Sequence, residues 1–176
     1  MTNVTAPAPA RGDASEFSEA LDGRALRNTL GRFATGVTVV TSTTETGAPV
    51  GITANSFSSL SLEPALILWS LVLSSPNLAA FAEGRPFAVN ILGAHQDELA
   101  MQFARSAEDK FAGVAHHANA HGVPLLAGAL ARLECRVEFT RIAGDHLLIV
   151  GRVQRFDTEE GEPLVFYQGN FQRVIA

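Results

Sequence analysis

Strand-length runs of apolar and β-branched residues punctuate this chain, separated by short polar breaks. Val37 to Thr43 is β-branched and reads as a strand; Glu45-Thr46-Gly47 is a turn, and Ala48 to Ile52 returns as the hairpin partner. Ala65 to Leu73 is almost continuously apolar, the pattern of a central strand buried on both faces. Ser74-Ser75-Pro76-Asn77 breaks that run and opens a helix over Leu78 to Glu83, which Gly84 ends. Phe87 to Leu92 is the next strand, and Asp97 to Arg105 a short helix with acids in its first turn. Lys110 to Val123 is irregular. Ala131 to Ile142 and His146 to Asp157 form a long antiparallel pair around Ala143-Gly144-Asp145, and Pro163 to Val174 supplies a final strand. Upstream, Asp13 or Ser15 caps a helix reaching about Phe33, with Phe17, Leu21, Leu26, Leu30 and Phe33 mostly at helical spacings and Gly23 a point of interruption. Six or seven strands with short peripheral helices describe a mainly β protein, better closed into a barrel than wound as a parallel sheet.

Composition narrows the class. A chain of 176 residues, 47% hydrophobic, can bury one substantial core. Residues 1–14 begin Ala/Pro/Thr-rich and are expected to be a disordered tail, with 15–176 as the domain. A net charge of −5 argues against a sequence-independent grip on nucleic acid. No apolar run has the length of a membrane-spanning helix, and the N-terminus has no hydrophobic signal core. The single cysteine, Cys135, forms no intrachain disulfide, which fits a reducing cytoplasm; its place in the alternating Leu133-Glu134-Cys135-Arg136-Val137 favours a buried strand residue over a nucleophile.

Familiar catalytic devices are missing. His116 and His117 are adjacent and diverge, and His121 has no nearby Cys or paired acid, so no metal site is expected. There is no Gly-x-Ser-x-Gly elbow, and no GxGxxG turn opening a helix to hold a dinucleotide. The distinctive stretch is Gly51-Ile52-Thr53-Ala54-Asn55-Ser56-Phe57-Ser58-Ser59-Leu60-Ser61-Leu62-Glu63-Pro64, where small and hydroxylated residues fall between two strands. Either it is a solvated loop of turn formers, or its backbone and hydroxyls face a polar ligand.

Thr53-Ala54-Asn55-Ser56-Phe57 with Ser61-Leu62-Glu63-Pro64 resembles the hallmark segment of the short-chain flavin reductases, which have an FMN-binding split barrel of Greek-key type. Further matches follow in order: Gly36-Val37-Thr38-Val39-Val40-Thr41, Phe87 to Leu92, Asp109-Lys110-Phe111, Gly144-Asp145-His146, and Pro163 to Tyr167 with Gly169. They span roughly Leu26 to Val174. The resemblance implies FMN or FAD along this stretch, met by the Gly51, Ile52 and Thr53 backbone and by Asn55 and Ser56. It places Ser70, Leu71 and Val72 beneath the ring and ribityl phosphate, and Ser75 and Asn77 in the phosphate loop at a helix N-terminus. Gln102 and Phe103 match a flavin-side position, and Lys110, the only lysine, the phosphate-side lysine. His146 and the segment Phe166-Tyr167-Gln168-Gly169 match the nicotinamide side, where NADH or NADPH would donate. Two departures stand out: Leu71-Val72-Leu73 replaces a charged stretch of many relatives, and Gln168 an Arg or His.

The activity implied is hydride transfer from nicotinamide to flavin, with the reduced flavin passing to a partner monooxygenase and the reductase acting as a homodimer. Hydride transfer between two cofactors needs no metal and no nucleophile, only their mutual placement. Two alternatives remain open. One is a flavoprotein that retains its flavin and reduces a metal complex or quinone; the other is a non-catalytic flavin- or haem-binding split barrel.

Overall fold

In the computed structural model, which describes residues 21–174, β-branched and apolar runs do become strands. Helix α1 (Gly23–Leu30) is capped by Asp22, whose carboxylate accepts from the Arg24 N–H at 2.8 Å. Strands β1 (Thr35–Gly36), β2 (Thr38–Thr43), β3 (Pro49–Ala54), β4 (Ser58–Leu62) and β5 (Ala65–Val72) follow. A single 3-10 turn (Leu78–Phe81), β6 (Pro86–Ile91) and α2 (Asp97–Ala104) lead to the short pair β7 (His116–Ala118) and β8 (Pro124–Leu126). The chain ends in the long hairpin β9 (Ala131–Ala143) and β10 (His146–Thr158), then β11 (Leu164–Tyr167) and β12 (Asn170–Arg173).

Seven strands form one antiparallel sheet in the order β3-β2-β6-β9-β10-β5-β4, and β1-β11-β12 form a second sheet. The two edges of the large sheet, β3 and β4, are consecutive in sequence. Only Asn55-Ser56-Phe57 joins them. Four Cα steps reach about 14 Å at most, so the sheet must curl until its edges nearly meet. Ser56 fastens the seam. Its hydroxyl accepts from the Ser70 N–H at 3.0 Å and donates to the Ser70 carbonyl at 3.3 Å, supplying by side chain what a ladder partner would supply by backbone. The result is a split barrel, curled but not closed by a continuous ladder, within a mainly β chain.

Inside it, Trp69, Phe81 and Phe87 are fully buried, with Trp69 and Phe81 edge to face at 4.9 Å. The outer face of β2 and β6 carries a second cluster, Val37, Val39, Leu92, Phe103, Phe111, Leu126 and Leu164, covered by α2 and β11. β5 is not buried on both faces as its sequence suggests: Ile67, Trp69 and Leu71 point inward, while Ala65 and Val72 are exposed. Other expectations also shift. The helix over Leu78 to Glu83 is only the four-residue 3-10 turn, and Asn77 makes no side-chain cap. Pro163 to Val174 is a hairpin, turned by Gln168 and Gly169 at φ 51° and 80°. The N-terminal helix stops at Leu30; the part expected before residue 21, and the tail, lie outside the described residues.

Cys135 is buried in β9, and burial beside Glu134 pushes its thiol up to about 12. An aromatic disulfide reagent should therefore leave the native protein unlabelled at neutral pH and label it only when denaturant is added. Stoichiometric labelling of the folded chain would contradict this placement.

Candidate functional site

β3 is a sheet edge, paired only with β2, so one row of its backbone groups is left for other partners. Beyond that edge, Thr53, Asn55 and Phe166 converge with Val37, Met101, Ala104 and Phe171 around a cavity of about 180 Å³. Phe166 and Phe171 face each other across the β11–β12 ladder, with ring centroids 5.7 Å apart, and form one wall. Thr35 pairs with Phe166, and its hydroxyl is buried without a partner among the described residues. The lining is largely apolar with a few polar groups, the makeup of a site for an aromatic ring with a polar edge.

Behind this cavity the packing is tight. Gly51 leaves no room for a side chain: a Cβ there would lie 2.3 Å from Cε1 of Phe103. Phe103 is fully buried, edge to face with Phe111 at 4.9 Å. The Thr53 hydroxyl donates to the Ala100 carbonyl at 2.6 Å, pinning α2 to β3. Lys110 Nζ donates to the carbonyls of Phe103 at 2.9 Å and Gly51 at 3.3 Å, and its burial lowers the ammonium's affinity for its proton. The Gln102 amide donates to the Lys110 and Ala112 carbonyls. Thr53, Gln102, Phe103 and Lys110 brace the cavity wall. The ring of Phe103 is spent on packing and the amide nitrogen of Gln102 on that brace.

A third group surrounds the β9–β10 turn. His146 pairs in register with Val72, and its Nδ1 lies 2.7 Å from Oδ1 of Asp145, whose carboxyl is held below its usual range by that hydrogen bond. The Leu73 N–H donates to the Asp145 carbonyl and the Ser75 N–H to the Val72 carbonyl, which sets Ser75 and Asn77 beside the same turn. Ser75 Oγ accepts from the Asn77 N–H at 3.2 Å. Leu71 is buried in the barrel core, so its side chain meets no ligand from outside. The four-residue 3-10 turn after Asn77 aligns too few peptides to present the anion-binding N-terminus expected from sequence. Ser56 and Ser70, two positions up the ladder from Val72, link this group to Asn55. The fourth group is Tyr167, Gln168 and Gly169, at the tip of the β11–β12 hairpin beside α1, where the Gln168 N–H donates to the Gly31 carbonyl at 3.0 Å. The structure thus brings Thr53, Asn55 and Phe166 together, and sets His146 apart from them within this chain. Val37, Met101, Ala104 and Phe171 escape sequence reading because ordinary apolar residues carry no chemical signal.

A model described as the flavin reductase like domain matches residues 30–174. The chain belongs to the flavin reductase family. It is 47% identical over 152 residues to the FMN reductase (NADH) SmoA of Agrobacterium fabrum, covering 86% of each chain. It is 39% identical over 164 residues to HsaB, the reductase subunit of a flavin-dependent monooxygenase from Rhodococcus jostii, covering 93% of this chain and 84% of that one. Among solved structures, a Streptomyces globisporus NADH:FAD oxidoreductase in complex with NAD and FAD fragments superposes with a TM-score of 0.82 at 36% identity, over 90% of this chain and 98% of the other.

The flavin characteristic of this family fits the residues present. The Asn55 amide and the free edge of β3 offer both donors and acceptors, as an isoalloxazine edge requires. At about 180 Å³ the cavity takes only part of such a ligand. Pockets that enclose whole cofactors run to roughly 300 Å³ and more, so the rest of a flavin must lie beyond the walls this chain supplies. Among the described residues no helix is long and apolar enough to cross a membrane.

Proposed function

We propose that this chain is an NAD(P)H:flavin oxidoreductase, supplying reduced FMN or FAD to a flavin-dependent monooxygenase. The observation that carries the reading is the cavity at the open β3 edge, where Thr53, Asn55 and Phe166 converge. A bound flavin supplies the hydride acceptor. The protein's part is placement: backbone of Gly51 to Thr53 and the Asn55 amide orient the polar edge, and Phe166 flanks the aromatic face. Lys110 spends two of its three N–H donors on carbonyls and keeps the third for a phosphate oxygen. His146, oriented by Asp145, stands for the nicotinamide side of the reaction. A site of amides, hydroxyls and one ring holds flavin loosely enough to release it, which is what supply to a second enzyme requires.

Exposed Leu62, Phe139 and Phe156 on β4, β9 and β10 support a second copy of the chain as partner, and with it a homodimer in the cytoplasm. That copy would furnish the walls the cavity lacks. The test is oxidation of NADH and NADPH followed with FMN, FAD and riboflavin supplied separately, beside the visible spectrum of the purified protein. Oxidation that depends on added flavin, with diffusible reduced flavin as product, is the expected result. A protein that binds no flavin, or binds it without oxidising nicotinamide, overturns the proposal. Tight flavin that turns over only with a metal complex or quinone would favour the retained-cofactor alternative.

A further inference from the structure

A second cavity, of about 320 Å³, opens between α1 and the β11–β12 turn, lined by Arg27, Asn28, Gly31, Arg32, Gln168 and Gly169. From Gly23 to Thr44 the chain carries Arg24, Arg27 and Arg32 and not one acidic residue, in a protein of net charge −5. Neither Arg27 nor Arg32 has a carboxylate partner among the described residues, whereas Arg132, Arg152 and Arg155 do. With its amide oxygen turned toward Arg32, Gln168 accepts from Nε at 3.1 Å and Nη1 at 3.0 Å. That contact orients the guanidinium and leaves its Nη2 edge and the whole of Arg27 for something else. Two guanidiniums without a carboxylate partner among the described residues, on one concave surface, make a local positive potential that favours a doubly charged anion, and the guanidinium fork matches phosphate oxygens.

The neighbour of this cavity says which anion. Phe166 lines the apolar cavity, and Gln168, two residues further along the same hairpin, lines the cationic one. Only Tyr167 separates the two residues, so at most about 7 Å of chain lies between them and one elongated molecule can place a ring in the first cavity and a phosphate in the second. The geometry points to a phosphate subsite in which Arg27 and Arg32 hold the phosphate ester of the molecule whose ring enters beside Phe166. It also accounts for the departure at Gln168. Where relatives put a cation at that position, this chain brings cations from α1 and uses the glutamine to aim one of them. The inference rests on the flavin reductase reading, in which two substrates carry phosphate: the nicotinamide dinucleotide and the flavin nucleotide. Lys110 already serves the α2 side, so the dinucleotide is the expected occupant.

The full-length chain with Arg27→Ala, Arg32→Ala and both together tests this. The double variant should raise KM for NADH at least about tenfold, the loss expected of a charged hydrogen-bonding group, with kcat retained. Arg27→Ala alone decides against a merely structural role, because the Arg27 side chain makes no hydrogen bond or ion pair among the described residues: it should raise KM, and Arg27→Lys should recover part of the effect. A weakened KM for NADH with unchanged FMN affinity assigns the subsite to the dinucleotide. Weakened FMN binding with unchanged riboflavin binding assigns it to the flavin phosphate. Unchanged KM for NADH and unchanged FMN affinity in the double variant overturn the subsite and leave the reductase reading standing. Calorimetric titration with ADP-ribose and with FMN reads the subsite without catalysis. If the wild-type chain shows no nicotinamide oxidation, yet binds either ligand and loses that binding in the double variant, the reductase reading falls and the phosphate subsite stands. If neither ligand binds the wild type, the subsite falls as well.

Discussion

Gly51→Ala unseats α2 and takes flavin binding with it. The added Cβ would sit 2.3 Å from Cε1 and 2.4 Å from Cδ1 of Phe103, far inside contact distance. The ring cannot simply swing away, because Phe111 meets it edge to face at 4.9 Å and Lys110 ties the Phe103 carbonyl to that of Gly51. The strain passes to α2, which also holds Met101 and Ala104 against the cavity. Overpacking of this kind costs about 1–3 kcal/mol. In urea unfolding the variant should lose stability in that range, and its flavin affinity should fall in parallel. Combining it with Phe103→Leu should restore part of both, a coupling that a double-mutant cycle resolves. If Gly51→Ala binds flavin as the wild type does, the wall behind the cavity yields more easily than these contacts require.

How much of this was legible in the sequence depended on whether residue type and burial agreed. β2, β5 and β6 were legible because β-branched and apolar runs coincide with burial, and the β9–β10 hairpin because the Ala143-Gly144-Asp145 turn marks its reversal. β4 was not, since Ser58-Ser59-Leu60-Ser61-Leu62 reads as turn formers; as an exposed edge it has no need of bulky side chains. The β11–β12 hairpin was hidden because its turn puts Gln168, an unusual left-handed residue, ahead of Gly169. That omission also concealed Phe171, which reaches the cavity only because the chain doubles back. The Thr53 to Ser56 stretch was correctly singled out as odd, yet its residues divide the work. Asn55 and Thr53 line the cavity, Thr53 with its hydroxyl spent on anchoring α2, whereas Ser56 closes the barrel seam. No linear pattern separates a hydroxyl that meets a ligand from one that meets its own backbone.

Trp69→Ala should cost a large share of the protein's stability, and Trp69→Phe very little. Trp69 is fully buried among Phe81, Phe87 and the inward side chains of β5 and β10. Emptying such a site costs about 3–5 kcal/mol, a large share of the roughly 5–15 kcal/mol that holds a domain folded. Phenylalanine behaves differently because of the indole N–H. Nε1 is buried with no hydrogen-bond partner among the described residues, and an unmet buried donor costs about 1–3 kcal/mol. Removing that donor offsets the smaller ring's loss of contact. Trp69 is the only tryptophan, so neither variant can be followed by its emission; far-ultraviolet circular dichroism against urea is the measure. The effect should reach the site as well. Ser70, the next residue, holds Ser56 across the seam, and a β5 that collapses toward the void draws Ser70 from that hydroxyl. Flavin affinity should therefore drop in Trp69→Ala even where the chain remains folded, and hold in Trp69→Phe. Equal unfolding midpoints for the two variants would show that the barrel interior does not depend on the indole in this way.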